Sequence, residues 1–230
     1  MTAPLIAVDR LTVERGGRPV VRDLSLVIRP GEVVLLIGHN GSGKSSLLHA
    51  LAGLLPAQAG EMRWGGLRGR RRQAVMLQDG ATFLSRSVTE NVAAGVLGRF
   101  RPGPAKRRAL EGRLMAAIPE LTSKLQTPCA DLSGGQRQLV GLGRTMLTDA
   151  DLLLFDEPTV GLPVDVASRV LGTLCGSLVA LGSAALIVEH NIDIAAKFAT
   201  RLCVMKNGEL VYDGALALLA DRAKLRNIYL

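Results

Sequence analysis

Apolar and polar positions in the first third of the chain follow the short alternation typical of β-strands. Apolar and β-branched residues recur between glycine-containing turns at 16–17 and 30–31. Lys44–Leu54, which is followed by Pro56, instead has the apolar spacing that predicts a helix. Strands are predicted at Ile6–Val13, Val20–Ile28, Glu32–Ile37, Met62–Trp64 and Ala74–Gln78.

The pattern becomes helical from Val88 to about Leu147. A further helix is predicted at Val164–Leu181. Strands return at Leu152–Phe155, Leu186–Glu189, Arg201–Met205 and Leu210–Tyr212, the last two as a hairpin. Strands that alternate with helices predict an α/β fold with a largely parallel sheet covered on both faces. We expect one domain, with a core at about 1–85 and 146–230 and a helical subdomain at about 86–145.

Positive charge is concentrated in one part of the chain. The 230 residues include 28 Lys and Arg against 20 Asp and Glu, which gives a formal net charge of +8. Twelve basic and three acidic residues lie between Arg63 and Arg113, so this basic segment carries +9 and the rest of the chain −1. A local excess indicates a local partner, and solvated surface arginines are the alternative. Aromatic residues make up only 3%, which argues against a base-stacking nucleic-acid surface.

Other features argue against a membrane-spanning or secreted protein. The richest apolar stretch, Leu178–Val188, is interrupted at Gly182 and is shorter than the roughly 18 residues of a spanning helix. The N-terminus reaches Asp9 before any adequate apolar region, so we expect no signal peptide. The three cysteines are widely spaced, which predicts reduced, buried thiols rather than disulfides or a metal site.

A glycine-rich loop lies between a predicted buried strand and a predicted helix. It reads Gly-His-Asn-Gly-Ser-Gly-Lys-Ser and matches the phosphate-binding pattern G-x-x-x-x-G-K-[ST]. Glycines let successive backbone N–H groups point into one concavity, and the helix N-terminus adds partial positive charge. Lys44 is expected to reach the β- and γ-phosphates, Ser45 to bind Mg²⁺ and Ser46 to lie near the α-phosphate. The residues expected to bind a nucleoside triphosphate are Gly38, His39, Asn40, Gly41, Ser42, Gly43, Lys44, Ser45 and Ser46.

The apolar strand Leu152–Phe155 is followed by two carboxylates, Asp156 and Glu157. In a doubly wound sheet, ligands bind at the carboxyl ends of the strands. Asp156 is therefore expected to hold Mg²⁺ through water, and Glu157 to polarise a water for attack on the γ-phosphate. A helix cap for the following turn is the alternative use of such an acidic pair.

A second glycine-rich segment, Leu132–Gln136, opens the last helix of the helical region. Ser and two Gly at a helix start can hold an anion, and an ordinary N-cap is the alternative. Combined with the phosphate loop and the acidic pair, this Leu-Ser-Gly-Gly-Gln segment resembles the signature of the ATP-binding cassette (ABC) family, the nucleotide-binding subunits of ABC transporters. The resemblance covers essentially all 230 residues, with five motifs in the family's order.

The resemblance implies a P-loop NTPase (RecA-like) core with a mostly parallel sheet, an N-terminal antiparallel β subdomain and an inserted α-helical subdomain. It also implies ATP hydrolysis, because Gly38–Ser45 is similar to Walker A and Leu152–Asp156 to Walker B, with Glu157 as the catalytic carboxylate. Gln78 resembles the glutamine that contacts Mg²⁺ and the attacking water, and His190 resembles the histidine that senses the γ-phosphate. The implied Mg²⁺ ligands are Ser45, Gln78 and Asp156. Considered without the family, Gln78 is a polar strand end and His190 a capping or surface histidine.

In this family two cassettes face each other head to tail. The resemblance therefore implies that Ser133, Gly134, Gly135 and Gln136 contact ATP held by a second ATPase subunit, identical or different. It further implies transmembrane permease subunits and an extracytoplasmic substrate-binding protein as partners, and no nucleic acid. The basic segment between Arg63 and Arg113 would then face permease loops or anionic lipid headgroups. The implied location is the cytoplasmic face of a bacterial cell membrane.

Two positions depart from the common family pattern. An aromatic residue usually stacks on adenine where this chain has Arg15, whose guanidinium either stacks on a purine or is solvated in a turn. Pro163 stands where many cassettes have Asp, and this feature, with segments 87–92 and 226–230, is similar to ATPases that energise import of branched-chain amino acids, amides and urea. Lipopolysaccharide-export ATPases share several of these features. A soluble cassette protein acting on nucleic acid or ribosomes is the alternative from another class.

Overall fold

The computed structural model describes residues 3–65, 71–221, 223, 225 and 228. The arginine side chains at positions 68, 70, 71 and 72 lie outside the described part of the chain, as does most of the segment 226–230. The proposals that a membrane partner contacts these arginines, and that the last five residues indicate a subgroup, are therefore not addressed by the structure.

Nine strands and six helices are assigned in the described residues. The strands are β1 (Ile6–Arg15), β2 (Arg18–Ile28), β3 (Val33–Ile37), β4 (Ala59–Trp64), β5 (Arg71–Met76), β6 (Ala150–Asp156), β7 (Ala184–Val188), β8 (Arg201–Lys206) and β9 (Glu209–Gly214). The helices are α1 (Lys44–Leu51), α2 (Val88–Leu97), α3 (Pro104–Ala117), α4 (Gly134–Met146), α5 (Val164–Leu181) and α6 (Ile192–Ala195). Short 3₁₀ turns occupy Gln78–Ala81, Pro119–Lys124, Cys129–Asp131 and Leu216–Ala220.

The strands form two sheets. β1, β2 and β4 make an antiparallel sheet in the order β2-β1-β4. The larger sheet has the order β5-β6-β7-β3-β8-β9, in which the first five strands are parallel and β9 is antiparallel to β8. This architecture confirms the predicted α/β fold with a mostly parallel sheet, an N-terminal antiparallel sheet and inserted helices.

Strand β6 is buried on both faces. Leu152 and Leu154 belong to the core shared with the three-stranded sheet and α1, whereas Leu153 and Phe155 belong to the core under α4 and α5. All seven residues of the strand are buried, which accounts for its continuous apolar run. Asp156 pairs in register with Val188 at the end of β7. The loops that follow β3, β6 and β7 therefore meet at one edge of the sheet.

Several element ends differ from the sequence predictions by a few residues, and two of these ends lie near the site. Helix α1 ends at Leu51 instead of Leu54, because Gly53 adopts a left-handed conformation with φ of 74°. Strand β5 ends at Met76, so the prediction that Gln78 ends this strand was wrong. Gln78 opens the 3₁₀ turn Gln78–Ala81, in which Gly80 and Ala81 have positive φ angles of 68° and 41°. The pairing of β5 with β6 therefore stops at Met76, and the chain turns at Gln78.

Part of the basic segment is used inside the helical region. Arg86 and Arg101 both lie within ion-pair distance of Glu90, at 3.9 and 3.3 Å. Arg107 contacts Glu111 at 3.0 Å. The positive charge of the basic segment is therefore partly neutralised by acidic side chains of the same segment. In the described part of the chain no helix has the length and apolar character needed to cross a membrane.

Candidate nucleotide-binding site

One cleft of 540 Å³ lies at the edge of the sheet where β3, β6 and β7 end. All of its lining residues were predicted to belong to the site. They are Arg15, Asn40, Gly41, Gly43, Lys44, Ser45, Ser46, Gln78, Glu157 and His190. The fold thus brings together residues that are up to 175 positions apart in the sequence.

Two glycines of the loop between β3 and α1 have no space for a side chain. A Cβ on Gly38 would lie 2.3 Å from the carbonyl oxygen of Met205, and one on Gly43 would lie 2.3 Å from that of Val20. Gly43 also has a φ of 102° and caps the N-terminus of α1. These contacts hold the loop against β2 and β8, with the first-turn N–H groups of α1 at the cleft.

Lys44 is buried, and its ammonium group is held by its own loop. Its Nζ donates hydrogen bonds to the carbonyl oxygens of Gly38 at 2.7 Å and His39 at 2.9 Å. Burial lowers the pKa of Lys44, while the charges of Glu157 and Asp156 oppose that shift. The cleft therefore contains a desolvated cation, which is suited to an anionic ligand.

Ser45 and Asp156 form a pair of oxygen donors. The Ser45 hydroxyl donates to Oδ1 of Asp156 across 3.2 Å. Asp156 is only 4% exposed, and burial raises the pKa of its carboxyl group, although the Ser45 hydrogen bond acts in the opposite direction. Hydroxyl and carboxylate oxygens suit a hard divalent cation such as Mg²⁺. No cluster of three or more His, Cys, Asp or Glu side chains that could hold a metal occurs among the described residues. Mg²⁺ usually has one or two carboxylates and completes its shell with phosphates and water, so the pair fits this ion.

Glu157 lies between Gln78 and His190. Its Oε1 is 2.9 Å from Nε2 of His190, and its Oε2 accepts from the Gln78 amide at 3.5 Å. The backbone of Glu157 is left-handed, with φ of 51°, and its N–H donates to the carbonyl oxygen of Val188 at 2.9 Å. Two predicted catalytic residues, Gln78 and His190, therefore converge from different loops on the carboxylate of the third, Glu157.

The signature segment is not part of this cleft. Ser133 caps α4 in a reciprocal arrangement, in which its Oγ accepts from the Gln136 N–H at 3.3 Å and its own N–H donates to Gln136 Oε1 at 3.0 Å. Ser133 and Gly134 are exposed, and Gly135 and Gln136 are half-buried. The structure thus leaves the open end of α4 accessible to another molecule.

Sequence reasoning missed several residues that support the site. Glu189 is 2% exposed and accepts hydrogen bonds from the backbone and hydroxyl of Thr159, at 2.8 and 2.6 Å, and from the N–H of His190 at 3.1 Å. His49 lies on α1 with Nδ1 3.2 Å from the guanidinium of Arg15. An acidic residue directly after an apolar strand was the available signal for Glu189. His49 gave no signal, because its partner is 34 positions away.

Comparison with protein families and curated proteins agrees with this geometry. The family model described as ABC transporter matches residues 21–160. A phosphonates import ATP-binding protein of Nostoc sp. is 34% identical, and the match covers 86% of this chain and 87% of that protein. A high-affinity branched-chain amino acid transport ATP-binding protein of Pseudomonas aeruginosa is 30% identical, with 98% and 99% covered. A cobalt import ATP-binding protein of Rhodobacter capsulatus is 34% identical, with 96% and 83% covered.

Solved structures show the same fold. The structure of an ATP-binding subunit of an ABC transporter matches with a TM-score of 0.83 at 23% identity, covering 98% of both chains. A nucleotide-free ATP-binding cassette matches with a TM-score of 0.81 at 22% identity, covering 99% of both.

The cleft and the match to the ABC transporter family model define the class of P-loop ATPases in which a cassette binds and hydrolyses ATP. Within that class, the chain belongs to the ABC transporter family, as the ATP-hydrolysing subunit that energises membrane transport.

Proposed function

We propose that Glu157 activates the water that attacks the γ-phosphate of ATP. The observation that carries this proposal is the convergence of Gln78 and His190 on the Glu157 carboxylate, at 3.5 and 2.9 Å, beside the phosphate loop. The carboxylate accepts the proton of the water as it attacks. Gln78 and His190 orient the water and the γ-phosphate with their side-chain nitrogens.

The loop residues bind the phosphates. Lys44 exchanges its bonds to the carbonyl oxygens of Gly38 and His39 for bonds to the β- and γ-phosphates. Ser46 lies next to the α-phosphate, and the backbone of 38–43 surrounds the chain of phosphates. Arg15, which lines the cleft beside His49, stacks its guanidinium on the base. These roles use the residues that the fold gathers in one cleft.

Ser45 and Asp156, with Gln78 at the cleft, are the residues that we propose to hold Mg²⁺. When bound, Mg²⁺ neutralises charge on the β- and γ-phosphates. Burial raises the pKa of Asp156, and a divalent cation beside it would act in the opposite direction by favouring the charged carboxylate.

We propose that the working unit is a dimer of cassettes, identical or different, in which the exposed or half-buried residues Ser133–Gln136 contact ATP held by the second subunit. Closure of the dimer on ATP and its reopening after hydrolysis would move transmembrane permease subunits. In this dimer each chain acts as one domain, whose helical subdomain spans about 86–145. The chain would lie on the cytoplasmic face of a bacterial membrane.

For the cargo, we propose import of branched-chain amino acids, amides or urea, with an extracytoplasmic substrate-binding protein. Support comes from the Pseudomonas relative, which matches over almost the full length of both chains, and from Pro163 after the acidic pair. Relatives named for phosphonates, hemin and cobalt have similar identities, from 30 to 34%, so these cargoes are the competing outcomes. Uptake of labelled leucine, urea, phosphonate, hemin and cobalt by cells with and without the gene separates them. Loss of leucine or urea uptake in cells without the gene supports the proposal. Loss of phosphonate, hemin or cobalt uptake, with leucine and urea uptake retained, contradicts it.

The test of the hydrolytic role is Glu157→Gln. Removing the general base should lower ATP turnover by about 10²- to 10⁴-fold, while ATP binding is retained and an ATP-dependent dimer accumulates. The matched control is Glu61→Gln, the same change on an exposed side chain of β4, which should leave turnover unchanged. Undiminished turnover in Glu157→Gln would show that another group activates the water.

A further inference from the structure

Helix α4 holds both catalytic segments of its own chain. From one side, the Gln138 amide donates a hydrogen bond to the carbonyl oxygen of Glu157 at 2.9 Å. From a position further along the same helix, Arg144 donates to the carbonyl oxygens of Gly80 and Ala81, at 2.8 and 2.9 Å. These carbonyls belong to the residue that bears the catalytic carboxylate and to the turn that begins at Gln78.

The carbonyls that α4 holds include those of two strained residues. Ala81 and Glu157 have φ angles of 41° and 51°, and left-handed conformations are unfavourable for residues other than glycine. Such conformations persist where surrounding contacts fix them. One helix therefore supplies side-chain contacts that fix a strained residue on each side of the cleft.

A close backbone contact sets the distance between α4 and the Gln78 turn. A Cβ on Gly141, which lies between Gln138 and Arg144 in the helix, would come within 2.6 Å of Cα of Gly80. Gln138 is only 4% exposed, so its amide bond to Glu157 is shielded from water. Movement of α4 would therefore be transmitted to both sides of the cleft.

We propose that Gln138 and Arg144 are positioning residues, which set Glu157 and Gln78 for hydrolysis according to the position of α4. Because α4 begins at the signature segment, docking of that end on another subunit is relayed through these two side chains to the helix's own catalytic cleft. The proposal rests on the hydrolytic role of Glu157 and Gln78 proposed above.

The test uses two variants that remove the donors but keep most of the side-chain volume, Gln138→Met and Arg144→Met. Each has a matched control that removes the same kind of bond elsewhere. Gln73→Met removes an amide bond to the carbonyl oxygen of Ala52, and Arg113→Met removes a guanidinium bond to that of Leu147. For all four and the wild type, binding of a fluorescent ATP analogue, kcat, KM and the thermal midpoint are measured on the full chain.

We expect kcat to fall at least tenfold in Gln138→Met and Arg144→Met, while the Kd of the analogue stays within twofold of wild type. A purely structural role would lower the thermal midpoint as in the controls without this selective loss of kcat. In the Arg144→Met background, Ala81→Gly should recover at least threefold in kcat, because glycine adopts positive φ without strain.

Three results would overturn the inference or its basis. Loss of kcat no larger than in the matched controls would overturn the positioning role of the residue concerned. Absence of recovery with Ala81→Gly would overturn the role given to the Ala81 carbonyl. Failure of the wild type itself to hydrolyse ATP would instead refute the proposed function.

Discussion

Replacement of Gly141 by alanine tests how closely α4 packs on the Gln78 turn. The new Cβ would lie 2.6 Å from Cα and 2.8 Å from the carbonyl oxygen of Gly80, against an ordinary contact distance of at least 3.4 Å. The neighbouring atoms are backbone, which cannot rotate away, so the helix and the turn must separate by about 0.8 Å.

Two opposing contributions decide whether Gly141→Ala raises or lowers the free energy of unfolding. Alanine is favoured over glycine in a helix by about 1 kcal/mol. Overpacking of a close contact costs about 1–3 kcal/mol, and the backbone neighbours place Gly141 at the upper end. We expect Gly141→Ala to lower the free energy of unfolding by about 2 kcal/mol and to reduce ATP turnover by displacing the Gln78 turn.

Urea denaturation measures the change, with Gly112→Ala on α3 as the matched control. A Cβ on Gly112 would meet no atom within 4 Å, so this variant should gain up to about 1 kcal/mol from helix propensity alone. If Gly141→Ala proves as stable as Gly112→Ala, the close contact between α4 and the Gln78 turn does not exist in solution.

Four further outcomes follow from burial and capping. Burial raises the pKa of Asp156 in the folded protein above its value in the unfolded chain, so the free energy of unfolding falls as pH rises between these two values. Asp156→Asn should therefore be more stable than wild type at neutral pH but not in acid, as urea titrations at several pH values will show. The same variant should lose Mg²⁺-dependent ATP turnover, measured as phosphate release. Ser87→Ala should cost about 1 kcal/mol by removing the α2 N-cap. The hydrogen bond from the Ser87 backbone lowers the pKa of Glu90, so Glu90→Gln should destabilise at neutral pH, and this difference should close as pH falls through the folded pKa. Burial raises the pKa of the Cys175 and Cys203 thiols to about 12, so mass spectrometry should find both unmodified by iodoacetamide at pH 8 until urea unfolds the chain.

These predictions have controls within the same chain. The Ser177 hydroxyl donates to the carbonyl oxygen of Leu174 inside a helix and caps no helix end. Ser177→Ala should therefore lower the free energy of unfolding by less than Ser87→Ala does. Equal costs would contradict the capping argument. Modification of native protein at either thiol would contradict its burial.

Local sequence patterns were sufficient to predict most of the fold. The helix Val164–Leu181 has the predicted bounds, because its apolar period is long and uninterrupted. The residues of Gly38–Ser46 that line the cleft were predicted because a phosphate loop is a continuous segment with defined neighbours on both sides. The prediction that Gln78 ends the strand was wrong, because Gln78 opens a 3₁₀ turn whose carbonyl oxygens are bonded by Arg144, a residue 63 and 64 positions away in the sequence.

The supporting residues could not be predicted for the same reason. Arg144 contacts carbonyls that lie 63 and 64 positions earlier, and Gln138 contacts one 19 positions later. Backbone carbonyls exist at every residue, so the sequence gives no sign of which ones need a partner. Only the folded arrangement shows that Gln138 and Arg144 bond the carbonyl oxygens of Glu157 and of the Gln78 turn.

The cleft combines three features that are unfavourable to folding. Burial lowers the pKa of Lys44 and raises that of Asp156, and Glu157 is held in a left-handed conformation. The fully buried strand β6 and the hydrogen bonds on both sides of Glu157 maintain these features. A phosphate beside Lys44 and a divalent cation beside Asp156 would each favour the charged form that burial disfavours. The burial that reduces the stability of the fold therefore also increases the preference of the cleft for a polyphosphate bound together with its cation.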